Sequence, residues 1–366
     1  MKVVFLCSNY EPGGAQRLII KLEESFKDFG IDTQSWYLHR KYKNYSKDNP
    51  IIILNKKMKS PIDFTRCIRR LILRLIKEKP DAIYSSLPYA NTLGLLIAWI
   101  CGVKIRIASH HNESYNELNF LTKALDYVCA KLRVYTHIIA VSEPTKKSFA
   151  YYPKKIYDSI HVINNGIKYL NTNKTSEECR TFFGFDDKLF LIGAVGRLVE
   201  QKNHIYLIEL LPYLKETSLV IVGKGDLKAS LENRADELNV SEQLIIIDEV
   251  STEKIPDFLK AIDIYLMPSL FEGLSVSLIE ALHARLPIIS SDIPSQKNVL
   301  FDITTGENYG LLVNLNNQEE WINKINLLKS NTTYYNQLSE LAHRRSYDFQ
   351  QEKMVNQYLN IIKGKR

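Results

Sequence analysis

The sequence contains few of the patterns that mark secreted, membrane-spanning or disordered proteins. Its five cysteines are an odd number without a Cys-x-x-Cys pair, so neither a disulfide framework nor a thiolate metal site is indicated. The longest uncharged apolar run, LGLLIAWICGV at 93–103, is shorter than the roughly 18 residues that cross a bilayer. Glycine and proline are scarce and no low-complexity tract occurs. These absences predict a globular protein with core cysteines, which fits a reducing cytosol.

The apolar residues that are present predict alternating strands and helices. They make up 45% of 366 residues, enough for a large core and about two domains. The N-terminal MKVVFLCSNY is too short in apolar residues for a signal peptide and predicts a first strand. Further strands are expected at 81–84, 104–108 and 137–141, with helical periodicity at 15–29, 62–78, 90–101 and 118–134. Repeated βα units predict a mostly parallel sheet.

The second half of the chain restarts this alternation, with FLIGAVGRL and SLVIVGKGD each followed by a helical segment. We therefore predict an α/β protein with two doubly wound parallel-sheet domains, over residues 1–166 and 185–345. The polar segment 167–184 lacks clear periodicity and is predicted to link them. The last segment, 346–366, has an amphipathic pattern and is expected to form a helix that packs back toward the N-terminal domain.

Positive charge is concentrated in the first half of the chain. Residues 1–170 hold 27 Lys or Arg against 14 Asp or Glu, whereas residues 171–366 hold 21 against 27. The surplus is densest in Arg40, Lys41, Lys43, Lys47, Lys56, Lys57 and Lys59, followed by Arg66, Arg69, Arg70, Arg74 and Lys77. Nucleic acid, a membrane surface or an anionic substrate would suit this asymmetry, and so would a merely solvated face. No helix-turn-helix, RNP or zinc-finger pattern supports nucleic-acid binding.

Charged and small residues follow four strands of the second predicted sheet. Ligands of open α/β sheets bind beyond the carboxyl ends of the strands, so these residues are expected at one edge. They are Arg197, Glu200, Lys202 and Asn203; Gly223, Lys224, Gly225 and Asp226; Glu272, Gly273 and Ser275; and Ser291 and Asp292. Each group alone is more often solvated than functional, but the convergence of four groups favours a ligand site.

The stretch FEGLSVSLIEAL sets Glu272 and Glu280 eight positions apart. A helix that begins at one of the serines in SVS would direct free N–H groups and a positive dipole end at a phosphate. Glu280 would lie about one and a half turns inside that helix, with its side chain leaning back toward the N-terminus. Carboxylates for sugar hydroxyls, with phosphates between them near Arg197 and Lys202, predict a nucleotide sugar. Alternatively, both glutamates are ordinary surface charges.

These segments resemble the retaining glycosyltransferases of family 4. PSLFEGLSVSLIEA resembles the Glu-x7-Glu segment of that family, and PGGAQR, VINNGI, GRLVEQKNH and VGKGDL resemble its other landmarks in the same order. The resemblance covers nearly the whole chain. It implies the GT-B fold, with two Rossmann-like domains facing across a cleft. The second domain would bind most of the donor and the first the acceptor, with no metal or other cofactor required.

The resemblance also implies roles for individual residues. Glu272 would contact the hydroxyls of the donor sugar, Glu280 the nucleotide ribose, and Arg197 with Lys202 the diphosphate. Backbone positions expected at the donor are Gly13, Gly14, Gly223, Gly273, Leu274 and Ser275. The two glycines of the first loop would allow a close approach to the donor phosphates, where a side chain would clash.

The family also places a histidine after a first-domain strand, near the reacting sugar. RIASHHNE offers His110 and His111, of which strand alternation lets one face the cleft. We favour His111, in a positioning role. The chain departs from the family at Asp248, where glycine is usual, and at PSQKNV, which lacks a common glutamate. These departures concern contacts with the nucleotide base and the donor.

The implied function is transfer of a hexose or N-acetylhexosamine from a nucleotide sugar, with a UDP sugar expected, to a saccharide acceptor in bacterial surface polysaccharide synthesis. The rival is a non-transferring GT-B enzyme such as a nucleotide-sugar epimerase, which needs no acceptor. Lipid-linked acceptors are common in the family, so the basic first domain is expected to associate with anionic headgroups at the inner face of the cytoplasmic membrane. That association would be peripheral and salt-sensitive.

Overall fold

Two separate parallel β-sheets organise the chain, each within its own unit. The computed structural model describes residues 1–11, 14–40, 50–248 and 250–364. Residues 1–166 and 351–366 form unit 1, and residues 167–350 form unit 2. The predicted fold class, α/β with two doubly wound parallel-sheet domains, is confirmed. Gly13 and the basic residues Lys41, Lys43 and Lys47 lie outside the described residues.

Unit 1 is built on a seven-stranded sheet. Its elements are β1 (Lys2–Tyr10), α1 (Gly14–Asp28), β2 (Asp32–Arg40), β3 (Ile51–Leu54), α2 (Pro61–Glu78), β4 (Ala82–Ser86), α3 (Leu95–Ile100), β5 (Ile105–His110), α4 (Ser114–Glu117), α5 (Phe120–Lys131), β6 (His137–Ala140), α6 (Glu143–Ser148), α7 (Lys154–Tyr157) and β7 (His161–Val162). The strand order is β3-β2-β1-β4-β5-β6-β7, and every pair is parallel. The order reverses direction between β1 and β4, which makes that gap a topological switch point.

Helices cover both faces of this sheet because neighbouring residues of each buried strand point to opposite sides. Val4 and Leu6 of β1 belong to one core, with α2, α3 and α5, whereas Val3 and Phe5 belong to the other, with α1. The second core also holds the last helix of the chain, α16 (Gln351–Ile362). Four of the five cysteines are buried.

Unit 2 is built on a six-stranded sheet. Its elements are α8 (Ser176–Phe183), β8 (Phe190–Val195), α9 (His204–Leu210), β9 (Thr217–Val222), α10 (Lys228–Glu237), β10 (Leu244–Ile247), α11 (Ile255–Ala261), β11 (Ile264–Met267), α12 (Val276–His283), β12 (Ile288–Ser291), α13 (Pro294–Leu300), β13 (Phe301–Asp302), β14 (Glu307–Asn308), β15 (Leu311–Val313), α14 (Gln318–Ser330) and α15 (Thr332–Ser346). The parallel order is β10-β9-β8-β11-β12-β15, with the switch point between β8 and β11. Strands β13 and β14 form a separate antiparallel pair.

The segment expected as a linker, 167–184, contains a helix that belongs to unit 2. Thr175 caps α8, since its side chain accepts a hydrogen bond from the N–H of Glu178 while the Glu178 carboxylate accepts from the N–H of Thr175. The helix packs on α11. The C-terminal segment expected as a helix over 346–366 contains α16, which begins at Gln351 and packs in the core of unit 1, whereas α15 of unit 2 ends at Ser346.

In the part of the chain that the structure describes, no helix is both long enough and apolar enough to cross a bilayer.

Candidate active site

The switch point of unit 2 brings together two side chains from different strand ends. Lys202 lies in the loop after β8, and Glu272 lies in the loop after β11. Lys202 Nζ is 2.6 Å from Glu272 Oε1, and both side chains are largely buried. The hydroxyl of Ser269 donates a second hydrogen bond to the same carboxylate oxygen, at 2.9 Å. A buried ion pair with an added hydrogen bond is therefore fixed at the edge where ligands of this sheet type bind.

Local sequence explains why Lys202 reaches this position. A Cβ added at Gly196 would lie 3.1 Å from Lys202 Cε, so the glycine leaves room for the lysine methylenes to pass. The two loops are also tied directly, since the N–H of Leu270 donates to the carbonyl of Gln201 at 2.9 Å. The Gln201 side-chain amide donates in turn to the carbonyl of Phe271, also at 2.9 Å. These contacts hold the lysine and the glutamate in register before any ligand binds.

Gly223 and Gly225 allow backbone contact between the loops after β8 and β9. A Cβ at Gly223 would stand 1.8 Å from the carbonyl oxygen of Gly196, and a Cβ at Gly225 would stand 2.2 Å from that of Leu198. The N–H of Leu198 donates to the carbonyl of Lys224 at 2.9 Å. Gly223, expected near the donor, therefore has a role in packing that is visible without a ligand.

Helix α12 begins at Val276, four residues after Glu272, and carries Glu280 on its second turn. Ser275 occupies the N-cap position, but its hydroxyl bonds to the hydroxyl of Ser277 at 3.1 Å and caps no backbone N–H. Gly273 and Leu274, the other expected backbone contacts, are buried between Glu272 and the helix. The first turn of α12 thus keeps its backbone donors free of a side-chain cap.

Tyr265 of β11 lies among the predicted site residues, although the sequence analysis did not select it. Its hydroxyl donates to the carbonyl of Val195 at 3.4 Å, and the ring is buried. Burial raises the pKa of this hydroxyl, and the negative charges of Glu280 and Glu272 raise it further. Both glutamates therefore lie within electrostatic range of one buried point. A tyrosine within the apolar run IYLM is common in protein cores, so the sequence gives no reason to select it. Its proximity to the two glutamates is visible only in the structure.

The remaining strand-end residues of unit 2 separate into supporting and exposed groups. Ser291 is buried, and its hydroxyl donates to the carbonyl of Ser269 at 2.6 Å, which holds the residue that hydrogen-bonds Glu272. Arg197 is exposed at the start of the Lys202 loop. The other exposed members are Glu200, Lys224, Gly225, Asp226 and Asp292. Asp248, one departure from the family pattern, forms an exposed 2.5 Å ion pair with Lys228.

In unit 1, the two adjacent histidines have different environments. His110 ends β5 and is buried, with its ring centroid 4.0 Å from that of Phe149. His111 is half-buried, and its Nε2 lies 3.3 Å from both the Tyr84 and Ser109 hydroxyls. Burial lowers the pKa of His110, and burial with the neighbouring His110 charge lowers that of His111 to about 3. Both imidazoles are neutral near pH 7, so His111 is suited to hydrogen bonding.

Gly14 is the described member of the glycine pair in the first loop. It begins α1, and a Cβ at this position would meet no protein atom within 4 Å. Packing within unit 1 therefore does not require glycine there. The close approach expected at Gly14 would therefore be to a bound ligand and not to the protein itself.

The described residues contain no group of three or more His, Cys, Asp or Glu side chains placed to hold a metal ion.

Acidification is expected to destabilise the protein through its buried histidines. His204 begins α9 beside Lys202, is 4% exposed, and has its pKa lowered from 6.5 to about 3, mainly by burial. Below pH 6.5 the unfolded state binds a proton that the folded state does not. The free energy of unfolding should therefore fall by about 1.4 kcal/mol per pH unit for this histidine. Urea unfolding at pH 7, 6 and 5 measures the slope. His204→Gln should flatten it, and an unchanged slope would exclude this contribution.

Comparison with known families identifies both halves of the chain. Residues 175–345 match the family model described as glycosyl transferases group 1, and residues 12–169 match that described as glycosyltransferase family 4. The Escherichia coli protein named UDP-Gal:alpha-D-GlcNAc-diphosphoundecaprenol alpha-1,3-galactosyltransferase is 28% identical over 75% of this chain and 71% of its own. The amylovoran biosynthesis glycosyltransferase AmsD of Erwinia amylovora is 23% identical over 96% of both chains.

Solved structures give the same fold at lower identity. Anabaena HepE, crystallised in complex with UDP and glucose, superposes over the full length of both chains with a TM-score of 0.84 at 17% identity. WaaG, a glycosyltransferase involved in lipopolysaccharide biosynthesis, superposes over 99% of this chain with a TM-score of 0.74 at 16% identity. At these identities the likeness concerns the GT-B fold.

Proposed function

Because the chain belongs to the group 1, family 4 glycosyltransferases and has their GT-B fold, we propose that it transfers a hexose or N-acetylhexosamine from a nucleotide sugar to a saccharide acceptor. The transfer retains the anomeric configuration and needs no metal ion. The observation that carries this proposal is the Lys202–Glu272 pair at the switch point of the unit 2 sheet. We assign donor binding to unit 2 and acceptor binding to unit 1.

The chemistry proposed for unit 2 follows from the charges of these side chains. Lys202, Arg197 and the N-terminal turn of α12 stabilise the diphosphate, whose negative charge grows as it leaves. The carboxylate of Glu272 accepts hydrogen bonds from the donor sugar, and that of Glu280 accepts them from the ribose. A ligand that enters replaces part of the hydrogen bonding between Lys202 and Glu272. Neither group is proposed as a nucleophile.

His111 is proposed to position the reacting sugar through its neutral imidazole. Its pKa of about 3 makes it a poor proton donor and a weak base at neutral pH. A neutral imidazole can still donate a hydrogen bond to a sugar hydroxyl or accept one from it, without transferring a proton. His110 is assigned to the core because of its burial against Phe149.

The donor and acceptor classes are proposed from the relatives. UDP is bound in the HepE structure, which supports a UDP sugar as donor. The named acceptor of the E. coli relative is carried on diphosphoundecaprenol, and the E. amylovora relative is named for a polysaccharide. We therefore propose a lipid-linked saccharide acceptor in bacterial surface polysaccharide synthesis. Such an acceptor places the protein at the inner face of the cytoplasmic membrane, by peripheral association.

Donor hydrolysis tests this function without knowledge of the acceptor. Thermal unfolding in the presence of a panel of UDP, GDP and ADP sugars identifies the donor, because a bound ligand raises the midpoint temperature. Slow release of nucleoside diphosphate from that donor is expected, and it should be unchanged after EDTA treatment. Complete loss with EDTA and recovery with Mg²⁺ or Mn²⁺ would contradict the metal-independent mechanism. Conversion of the donor to its epimer without nucleotide release would favour the epimerase instead.

A further inference from the structure

Helices α2, α3 and α5 form one layer over a single face of the unit 1 sheet. Their inward residues belong to one core cluster. Helix α2 contacts α3, and α5 contacts the π-helical turn Ala90–Gly94 that leads into α3. The outward sides of the three helices therefore face away from the sheet together, and we call this surface the outer helical face. It exposes ten large apolar side chains: Ile62, Leu73, Ile76, Trp99, Ile100, Phe120, Leu121, Leu125, Val128 and Leu132.

Helix α5 has two apolar sides, and among the described residues one of them packs in the core of unit 1. Its inner side buries Cys129 and Ala130 in the core, beside the buried carboxylate of Asp126. Its outer side carries Leu121, Leu125, Val128 and, just past the helix end, Leu132. These positions are spaced i, i+4, i+7 and i+11, so they form one stripe. Phe120 at the N-terminal end is 85% exposed and Leu121 is 76% exposed. Contiguous apolar residues at such exposure mark an interaction surface.

The charges exposed on the same face are positive. Helix α2 exposes four cations, and the C-terminal end of α5 adds two: Arg66, Arg69, Arg70, Lys77, Lys131 and Arg133. The acidic side chains of these helices are engaged. Asp63 is buried and paired with Lys56, and Glu78 pairs with Lys2. The carboxylate of Asp126 accepts hydrogen bonds from the hydroxyls of three tyrosines, Tyr135, Tyr151 and Tyr152. The outer helical face therefore combines large apolar groups with net positive charge.

We propose that the outer helical face is a docking surface for a bilayer of anionic lipids. The α5 stripe, with Trp99 and Ile100, enters the boundary between headgroups and acyl chains, and the α2 cations contact the lipid headgroups. A second copy of the chain fits this face poorly, because a two-fold contact would set the same cations against one another. The inference rests on the proposed function only for the presence of a lipid-linked acceptor. It adds insertion of apolar side chains to the electrostatic association expected from sequence.

Tryptophan fluorescence can report docking directly because of where the three tryptophans lie. Trp36 and Trp321 are fully buried, whereas Trp99 is 44% exposed on the outer helical face. Addition of vesicles containing phosphatidylglycerol should shift the emission to shorter wavelength and protect it from iodide. Lipids brominated near the headgroup end of the acyl chain should quench it. Vesicles of phosphatidylcholine alone should give a weaker response, and added salt should weaken binding to the anionic vesicles.

Variants separate the apolar from the electrostatic contribution. Leu121→Ser with Val128→Ser should lower the vesicle partition coefficient by about ten-fold or more, because less apolar surface leaves water on binding. Arg66→Glu with Arg69→Glu should remove most of the salt dependence. Ile303→Ser with Tyr213→Ser, which changes exposed apolar side chains of unit 2, is the matched control and should bind as wild type does. All of these side chains are exposed, so circular dichroism and thermal unfolding should be unchanged.

The outcomes distinguish docking from the proposed function. Wild-type protein that ignores anionic vesicles at low salt, or a stripe variant that binds as well as wild type, would overturn the docking surface. A stripe variant that changes from dimer to monomer in solution would assign the face to a second copy and overturn it as well. Donor hydrolysis without vesicles should be equal in all variants. Its absence in every form would overturn the proposed function and leave the vesicle results to stand alone.

Discussion

Lys202→Ala is expected to lower donor turnover by about 100- to 1,000-fold, a loss of about 2.7–4 kcal/mol of transition-state stabilisation. The negative charge on the leaving diphosphate grows in the transition state, so a fixed cation stabilises that state more than the bound donor. The Lys202 ammonium is already held 2.6 Å from Glu272, in a largely buried position. Measurement of kcat and KM at saturating acceptor should show a larger fall in kcat than rise in KM.

The control for this variant removes a similar ion pair elsewhere in unit 2. Lys174 Nζ lies 3.0 Å from the buried carboxylate of Asp257, beside α8 and α11. Lys174→Ala removes one lysine from this carboxylate, which keeps Lys254 at 3.1 Å, and it should leave kcat unchanged. Lys202→Arg keeps the charge, but its planar guanidinium is a poor substitute for an ammonium whose methylenes pass Gly196, so intermediate activity is expected. Wild-type kinetics for Lys202→Ala would exclude the assigned role.

Gly223→Ala is expected to disturb both stability and donor binding. The added Cβ would stand 1.8 Å from the carbonyl oxygen of Gly196, an approach that neither backbone can relieve without moving. The loops after β8 and β9 would have to separate, at a cost of about 1–3 kcal/mol in the free energy of unfolding. Since Gly196 leaves room for Lys202, the displacement also misplaces the cation proposed to bind the diphosphate, and a loss of about 100-fold in turnover is expected.

Calorimetry measures both effects of Gly223→Ala. The midpoint of thermal unfolding should fall, and titration with the nucleoside diphosphate should show weaker binding. Gly225→Ala, whose Cβ would stand 2.2 Å from the Leu198 carbonyl oxygen, should act in the same direction. Gly14→Ala is the stability control, because its Cβ would meet no protein atom within 4 Å and α1 gains a better helix former. Normal stability and normal diphosphate binding in Gly223→Ala would contradict the packing role.

The sequence by itself determined the fold class. Strands of a parallel sheet are buried on both faces, so they appear as short continuous apolar runs such as VVFLC and LVIV. In the intervening helices, apolar residues recur every three to four positions. This alternation of strands and helices also shows which charged residues lie at the carboxyl ends of strands. Lys202 and Glu272 were selected in this way, because the carboxyl ends of parallel strands share an edge whatever the details of the loops.

Short elements with weak local signals were missed. Helix α8 lies in the predicted linker because its eight residues are mostly polar, although Thr175 and Glu178 form a capping box, which is typical of a helix N-terminus. The boundary before the last helix is predicted at 345/346, and α16 begins at Gln351 in unit 1. Residues 346–350 carry no glycine or proline to end a helix, and only the core of each unit decides that α15 packs in unit 2 and α16 in unit 1.

Tertiary structure alone decided which side chains meet. The Lys202–Glu272 bond joins positions 70 residues apart, and nothing local distinguishes that lysine from the exposed Lys224 on the next loop. The helical pattern over 118–134 likewise predicted α5, but apolar residues on two sides of a helix leave open which side packs. The sheet buries Cys129 and Ala130 and leaves Leu121 and Val128 exposed. Helical periodicity records the spacing of residues along one element, whereas burial depends on what the rest of the chain sets against it.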